Sequence, residues 1–175
     1  MVDVKYIFSE IELLFKLQNE RVVRYMKTWI DNNESYYIRM EFCSDNLKNI
    51  LDTKRLVFNE SIESTNELEF YILCKIFIEL LKAVQYLHNM IPTIIHLDLK
   101  PANILFDEKG ENGIFFKLCD FGLAKLCVGQ TNTIGKGTQK YMASEVYRGH
   151  YDTKADVYSL GIIGLHDIFE LPSDK

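Results

Sequence analysis

Four short motifs rich in charged residues, glycine and proline occur in one order along the chain, and they constrain its fold more than any other feature. They are residues 96–103 (HLDLKPAN), 120–122 (DFG), 137–145 (GTQKYMASE) and 156–161 (DVYSLG). Any one of them could arise by chance, whereas the ordered set at this spacing is very specific.

The apolar pattern around these motifs predicts an α+β fold. A helix is predicted near the start, strands over 22–30 and 36–42 with a turn between them, strands over 104–106 and 114–119, and a helix over 154–169. A short helix capped by Asp45 or Asn46 is expected to end at Leu51, with a surface connection over 52–66. The clearest helix precedes the first motif, and its wide apolar face comprises Leu73, Ile76, Phe77, Leu80, Leu81, Val84 and Leu87.

Composition excludes several classes of protein. The 175 residues are 47% hydrophobic, which is enough to form one buried core. The net charge is -5 and no basic stripe occurs, so this segment is not expected to bind nucleic acid. No apolar run is long enough to cross a membrane. The four cysteines form no CxxC pair and indicate buried thiols in a reducing, cytoplasmic compartment: Cys43, Cys74, Cys119 and Cys127.

The four motifs resemble those of the eukaryotic protein kinase family, and the resemblance covers essentially the whole chain. It implies a two-lobe fold in which residues 1–43 are a remnant of the small lobe and residues 44–175 form a mainly helical large lobe. The glycine-rich loop and the strand lysine of the family are missing from the sequence, as are the last helices of the large lobe. The resemblance therefore implies a domain truncated at both ends.

The resemblance also implies that five polar side chains converge in one cleft, each with its own role: Asp98, Lys100, Asn103, Asp120 and Thr138. Asp98 would be the base for the substrate hydroxyl, and Lys100 would reach the transferring phosphate. Thr138 would hydrogen-bond both of them. Asn103 and Asp120 would supply oxygen ligands to Mg²⁺, a hard cation that prefers them.

A second group of residues would hold the nucleotide, ATP. By the same resemblance Met40 is the gatekeeper before the hinge between the lobes. Glu41 and Cys43 would offer backbone groups to the adenine ring. Glu10 takes the place of the small-lobe helix glutamate that pairs with the missing lysine.

Two structural roles follow from the family pattern. Asp156 is expected to accept hydrogen bonds from the backbone of the catalytic loop, although a simple helix cap would place an aspartate there too. Leu14, Tyr25, His96 and Phe121 are expected to stack between the lobes, and ordinary core packing would look almost the same.

Two departures from the family pattern concern regulation and the end of the loop. Leu97 stands where most relatives have an arginine that grips a phosphate on the activation segment. Thr131 and Thr133 lie in that segment, and Thr133 is at the expected autophosphorylation position. A complete enzyme is therefore expected to need this phosphate less than its relatives do. Ser144 replaces a proline, a change that we expect to be tolerated.

The subgroup stays open between two types of kinase. Lys100 and the Gly137–Thr138 pair resemble serine/threonine kinases. Residues 22–29, 40–48 and 151–161 look most like the kinases of translation initiation factor two, and Thr138 favours this group. That resemblance implies an initiation factor subunit as protein substrate and a possible homodimer. Residues 96–98 are instead similar to Wee-type cell-cycle kinases.

Two functions remain in competition at this point. The first is ATP-dependent phosphorylation of serine or threonine in a protein. The second is a non-catalytic fragment that binds other proteins through its kinase-like surface. The intact large-lobe motifs favour the enzyme, and the missing glycine-rich loop and lysine favour an inactive chain.

Overall fold

The computed structural model describes residues 4–32, 35–58, 67–126 and 137–171. The chain opens with helix α1 (Val4–Lys16), followed by the antiparallel strands β1 (Tyr25–Ile30) and β2 (Tyr36–Met40). Trp29 pairs with Tyr37 across this two-stranded sheet, and their rings stack with centroids 5.3 Å apart. The amphipathic helix and the hairpin therefore form as the apolar pattern predicts.

The rest of the chain is mainly helical. Its helices are α2 (Leu47–Phe58), α3 (Glu67–His88) and α4 (Lys154–Ile162), and α4 continues as a π-helical turn over Ile163–Ile168. Strand β3 (Asp45–Asn46) precedes α2. Four more short strands lie between α3 and α4: β4 (Ile94–Ile95), β5 (Ile104–Phe106), β6 (Phe116–Leu118) and β7 (Lys125–Leu126). Strand β5 lies between β3 and β6, and β4 pairs with β7. The predicted α+β class is confirmed.

Helix α2 begins as predicted but runs further. The Asn46 side chain accepts a hydrogen bond from the Asn49 backbone N–H at 3.1 Å and caps the helix. The prediction that the helix ends at Leu51 is wrong, because it continues to Phe58. An i,i+4 ion pair joins Lys48 to Asp52 at 2.8 Å, and Lys54 pairs with Glu69 of α3 at the same distance.

Two other predictions need correction. Val22 and Val23 were expected to start the first strand, but both are fully buried before it, and Val22 forms an isolated bridge with Leu118. Leu81 was placed on the buried face of α3, but its side chain is 44% exposed. The residues that are buried on α3 follow the i, i+3, i+4, i+7 pattern more strictly: Leu73, Ile76, Leu80, Ala83, Val84 and Leu87.

One hydrophobic core connects the first helix with the rest of the chain. Leu14 of α1 and Leu17, which follows the helix, belong to the same buried cluster as Leu80 of α3 and Leu118 of β6. A smaller cluster lies under the end of the loop that precedes α4, and it comprises Ile95, Leu97, Met142, Ala143, Val146 and Ala155. The division into lobes after residue 43 stays a prediction.

Two further properties concern the described residues alone. None of their helices combines the length and the apolar character needed to cross a membrane. Cys43, Cys74 and Cys119 are free thiols. Cys127, Thr131 and Thr133 lie outside the described residues.

Candidate active site

The Asp98 carboxylate is the centre of a cluster of hydrogen bonds from two of the four motifs. Its Oδ1 atom accepts hydrogen bonds from the Thr138 backbone N–H at 3.0 Å and from Thr138 Oγ1 at 2.8 Å. Its Oδ2 atom accepts from Lys100 Nζ at 2.6 Å and from Asn103 Nδ2 at 3.0 Å. The side chains predicted to converge around Asp98 do lie together.

Local structure brings these residues to one place. Asn103 ends a single 3₁₀ turn that starts at Pro101, so its amide folds back and also donates to the Asp98 carbonyl at 2.9 Å. Lys100 Nζ additionally donates to Thr138 Oγ1 at 3.1 Å. Asp120 joins the cluster from the end of β6, where Asn103 Nδ2 lies 3.4 Å from its Oδ2 atom. A loop, a hairpin and the segment before α4 thus meet at one carboxylate.

The environment of Asp98 favours its charged form. Burial raises the pKa of Asp98, but the hydrogen bonds from Lys100 and Thr138 outweigh burial and hold that pKa below its usual value. Asp98 is 8% exposed, so solvent reaches it on one side only. The carboxylate is therefore ionised at neutral pH and accessible to a small group.

Asp156 accepts hydrogen bonds from the backbone of the loop of residues 96–103, as predicted. It is fully buried at the start of α4, and its two oxygen atoms accept the backbone N–H groups of His96 and Leu97, each at 2.9 Å. His88 Nε2, at the end of α3, lies 2.9 Å from Asp156 Oδ2. The prediction of a bond to the loop backbone is confirmed, and the contact to His88 was not foreseen.

Gly137 allows the segment before α4 to approach the catalytic loop closely. Its φ is +133°, and a Cβ atom at this position would lie 2.9 Å from the Leu97 carbonyl oxygen. Leu97 itself has a φ of 67° and is buried in the smaller core cluster. At the position of the usual arginine the chain therefore packs an apolar side chain against the segment.

Glu10 of α1 faces the same site from the other side. A Cβ atom on Gly122 would lie 3.6 Å from Glu10 Oε2 and 3.4 Å from Asp120 Oδ1, so the two carboxylates flank this glycine. Burial raises the pKa of Glu10, and the charge of Asp120 raises it further. No ion pair of Glu10 occurs within the part of the chain that the structure describes.

The predicted stack between the lobes is seen in part. The rings of His96 and Phe121 are in contact with centroids 5.0 Å apart, and His96 Nε2 donates to the Cys119 carbonyl at 3.0 Å. Leu14 is buried in the same core as Phe121, and Tyr25 packs against that core. His96 is thus a packed residue and is bonded on both sides of its ring.

The polar groups at the cleft fit a magnesium ion. The Asn103 amide nitrogen makes the hydrogen bonds to Asp98 and Asp120, which leaves its carbonyl oxygen available as a ligand beside the Asp120 carboxylate. Asp120 has a φ of 63°, a strained conformation of the kind that concentrates at functional sites. The described residues hold no group of three or more His, Cys, Asp or Glu side chains suited to a metal. A site of one carboxylate and one amide suits Mg²⁺, which takes its other oxygens from phosphates and water.

The predicted hinge residues follow β2 directly. The Glu41 backbone N–H donates to the Arg24 carbonyl at 2.9 Å, which ties the start of the hinge to the residue before β1. Met40 is partly exposed and Cys43 half-buried. Burial and the nearby Glu41 raise the pKa of Cys43 to about 11, so this thiol is neutral.

One buried charge in this region was not predicted from the sequence. Lys117 of β6 is 7% exposed, and its ammonium pairs with Glu41 and with Asp107. Its sequence neighbours are the buried Phe116 and Leu118. A lysine between two apolar residues of a strand was the available indication, but that pattern is also typical of a solvated strand face.

The chain matches a known family over nearly its whole length. The family model described as protein kinase domain matches residues 2–171. A MAP kinase kinase of Saccharomyces cerevisiae is 36% identical over 160 residues, which cover 90% of this chain and 29% of that protein.

Two further relatives are cell-cycle inhibitors by name. The mitosis inhibitor protein kinase SWE1 of Saccharomyces cerevisiae is 33% identical over 91% of this chain and 20% of its own length. A membrane-associated tyrosine- and threonine-specific cdc2-inhibitory kinase of Drosophila melanogaster is 32% identical over 89% of this chain and 27% of its own length. The chain thus spans less than a third of the length of each of these relatives.

A solved structure has the same fold. The yeast RNA polymerase II CTD kinase complex contains a chain that superposes with a TM-score of 0.73 and 22% identity. The superposition covers 98% of this chain and 53% of the other. The two-lobe architecture with a partial small lobe, predicted from the motifs, agrees with this similarity.

Proposed function

The chain belongs to the protein kinase domain family, and on that premise we propose that its cleft transfers the γ-phosphate of ATP to a serine or threonine hydroxyl of a protein. The observation that carries the proposal is the Asp98 carboxylate, which holds Lys100, Asn103 and Thr138 by hydrogen bonds of 2.6–3.0 Å. This arrangement fixes an ionised carboxylate beside a cation at the edge of the cleft. Phosphoryl transfer relies on such positioning and charge neutralisation.

Each residue of the cluster has a proposed task. Asp98 accepts the proton of the substrate hydroxyl, because its carboxylate stays ionised and is open to solvent on one side. Lys100 is bonded to Asp98 and Thr138, and from there its ammonium can reach the transferring phosphate. Thr138 orients the carboxylate through two hydrogen bonds and forms the floor under the substrate.

Nucleotide and metal are proposed to bind between this cluster and the hinge. Asn103 and Asp120 would hold Mg²⁺, and Glu41 and Cys43 would offer backbone groups to adenine next to Met40. A bound magnesium ion neutralises phosphate charge and orients the γ-phosphate. Glu10 lies near Asp120, where a lysine from the small lobe could pair with it.

Dependence of ATP binding on Mg²⁺ tests this assignment in the full-length protein. We expect that Mg²⁺ raises the affinity for ATP in the parent protein but not in the Asp120→Asn variant, because one of the two oxygen ligands loses its charge. Asp98→Asn should keep that increase, because Asp98 is assigned to the hydroxyl. Asp152→Asn, at an exposed carboxylate before α4, is the matched control and should change nothing. An unchanged Mg²⁺ dependence in Asp120→Asn would refute the metal assignment.

The subgroup is a finer proposal with two candidates. The initiation factor assignment, with its factor subunit as substrate and a homodimer, rests on the resemblance of residues 22–29, 40–48 and 151–161 and on Thr138. The Wee-type assignment rests on residues 96–98 and is supported by the two relatives named for cell-cycle inhibition. Phosphoamino-acid analysis of products separates the candidates. We expect phosphoserine or phosphothreonine, and phosphotyrosine as the main product would favour the second candidate.

A non-catalytic role is the second candidate function. Glu10 lacks a cationic partner within the described residues, so the phosphate-binding half of the site is incomplete there. In that case the chain would bind proteins through its kinase-like surface. A cytoplasmic location is also a proposal, supported by free thiols at Cys43, Cys74 and Cys119.

A further inference from the structure

A buried lysine links the hinge to the strand that carries the candidate metal ligand. Lys117 Nζ lies 2.8 Å from Asp107 Oδ2 and 3.0 Å from Glu41 Oε2. Lysine is among the residues least often buried, and a buried ammonium needs charged partners. Burial lowers the pKa of Lys117, but the hydrogen bonds to Asp107 and Glu41 raise it above its usual value. One cation is thus shared by two carboxylates.

The contact to Asp107 is local and rigid. Asp107 follows β5 directly, its backbone N–H donates to the Phe115 carbonyl at 2.8 Å, and its Oδ1 atom accepts from the Lys109 N–H at 3.1 Å. Lys117 is paired with Leu105 across the same β5–β6 hairpin. Asp107 therefore fixes where the ammonium lies, and the hairpin supplies a firm base for it.

The contact to Glu41 is the long-range one, since Glu41 is 76 residues away in sequence. The two oxygen atoms of its carboxylate have different partners: Oε1 accepts from the Arg24 N–H at 2.7 Å, and Oε2 accepts from Lys117. The carboxylate therefore joins the start of β1, the hinge and β6. Lys117 is also only three residues before Asp120 in the chain.

Side-chain packing contributes little to the position of the hinge. Phe42, the residue after Glu41, is 86% exposed, and Met40 before it is 38% exposed. A cavity of about 470 Å³ borders Glu41 and Lys117 on the side of α1. With solvent on one side and a cavity on the other, polar contacts are what hold Glu41 in place.

We propose that Lys117 is a positioning residue for the nucleotide, which sets the adenine-binding hinge at a fixed distance from the metal-binding end of β6 through Glu41. The proposal rests on the function proposed above, because it assigns a role within that same site. Without the ammonium, the Glu41 and Asp107 carboxylates would face each other in a partly buried space. Their repulsion would push the hinge toward the cavity and displace the groups that contact adenine.

Calorimetric titration of the full-length protein with adenosine and with Mg–ATP tests the proposal. In Lys117→Met we expect the affinity for both ligands to fall by the same factor of about ten, with unchanged stoichiometry. This factor is smaller than the ~10²-fold loss of reaction rate that a displacement of ~1 Å can cause. Adenosine lacks phosphates, so a shared loss identifies the hinge as its origin. The double variant Lys117→Met/Asp107→Asn should regain part of the affinity, because it removes the repulsion.

Lys54→Met is the matched control, since Lys54 forms a partly buried ion pair with Glu69 at 2.8 Å between α2 and α3. It should leave both affinities unchanged. A Lys117→Met protein with lower stoichiometry and unchanged affinity would show a purely structural role and overturn the inference, and so would full affinity in that variant. If the parent protein bound neither ligand, the proposed function itself would fail, and the inference with it.

Discussion

At the level of single residues, the carboxylates of Glu10 and Asp120 distinguish this site, because among the described residues no cation forms an ion pair with either of them. Glu10 and Asp120 flank Gly122, and the charge of Asp120 adds to burial in raising the pKa of Glu10. Because the pKa is raised in the folded state, ionised Glu10 destabilises the fold at neutral pH. This destabilisation is lost as the pH falls below 4.5, the pKa of the Glu10 carboxyl in the unfolded chain.

A titration of Glu10 measures this effect directly. Asp120→Asn removes the smaller of the two causes, so the pKa of Glu10 should fall but stay above its ordinary value, since burial remains. The readout is the carboxyl ¹³C shift of Glu10 against pH in the folded chain at low temperature. Asp152→Asn, a distant carboxylate, should leave the titration unchanged. Identical curves for the parent and Asp120→Asn would contradict the account.

At the scale of elements, the start of α4 supports the catalytic loop. Asp156→Ala would leave the buried N–H groups of His96 and Leu97 without acceptors, at about 1–3 kcal/mol each. We expect these two amides to lose protection against hydrogen exchange. Asp152→Ala removes one exposed hydrogen bond to the Lys154 N–H, for about 1 kcal/mol, and should leave their protection intact. Equal protection in both variants would show that other contacts hold the loop.

The sequence predicts the elements unequally, for physical reasons. Asp98, Asn103 and Thr138 could be placed together because the ordered motifs that contain them resemble those of the protein kinase family. The end of α2 was missed because its second half is held by the Lys54–Glu69 contact to another helix, which no local pattern reports. Lys117 was missed for a similar reason, since one of its two partners, Glu41, is 76 residues away in sequence.

At the level of the whole molecule, the first part of the chain forms only a small sheet. Only two strands, β1 and β2, form its sheet within the described residues, and they leave apolar side chains such as Trp29 and Ile30 partly exposed. An exposed strand edge promotes association. We therefore expect the isolated 175-residue chain to be poorly soluble and to unfold in a broad transition at low temperature. A sharp, cooperative melt at ordinary temperature would contradict this.

The proposed phosphoryl transfer takes place around Asp98, and it also requires parts that position the phosphates. The glycine-rich loop and its lysine do not occur in the sequence. The loss of one positioning group commonly costs ~10²-fold or more in rate, so the chain alone should transfer phosphate negligibly and bind ATP weakly.

The most direct test is a γ-phosphate transfer assay on three proteins: this chain, an extended chain that includes a glycine-rich strand and its lysine, and the extended chain with Asp98→Asn. We predict negligible turnover for the first, robust turnover for the second, and a loss of about 10²–10⁴-fold for the third, because Asp98 is the proposed base. Robust turnover by the short chain would contradict the account, and so would an Asp98→Asn protein as active as its parent.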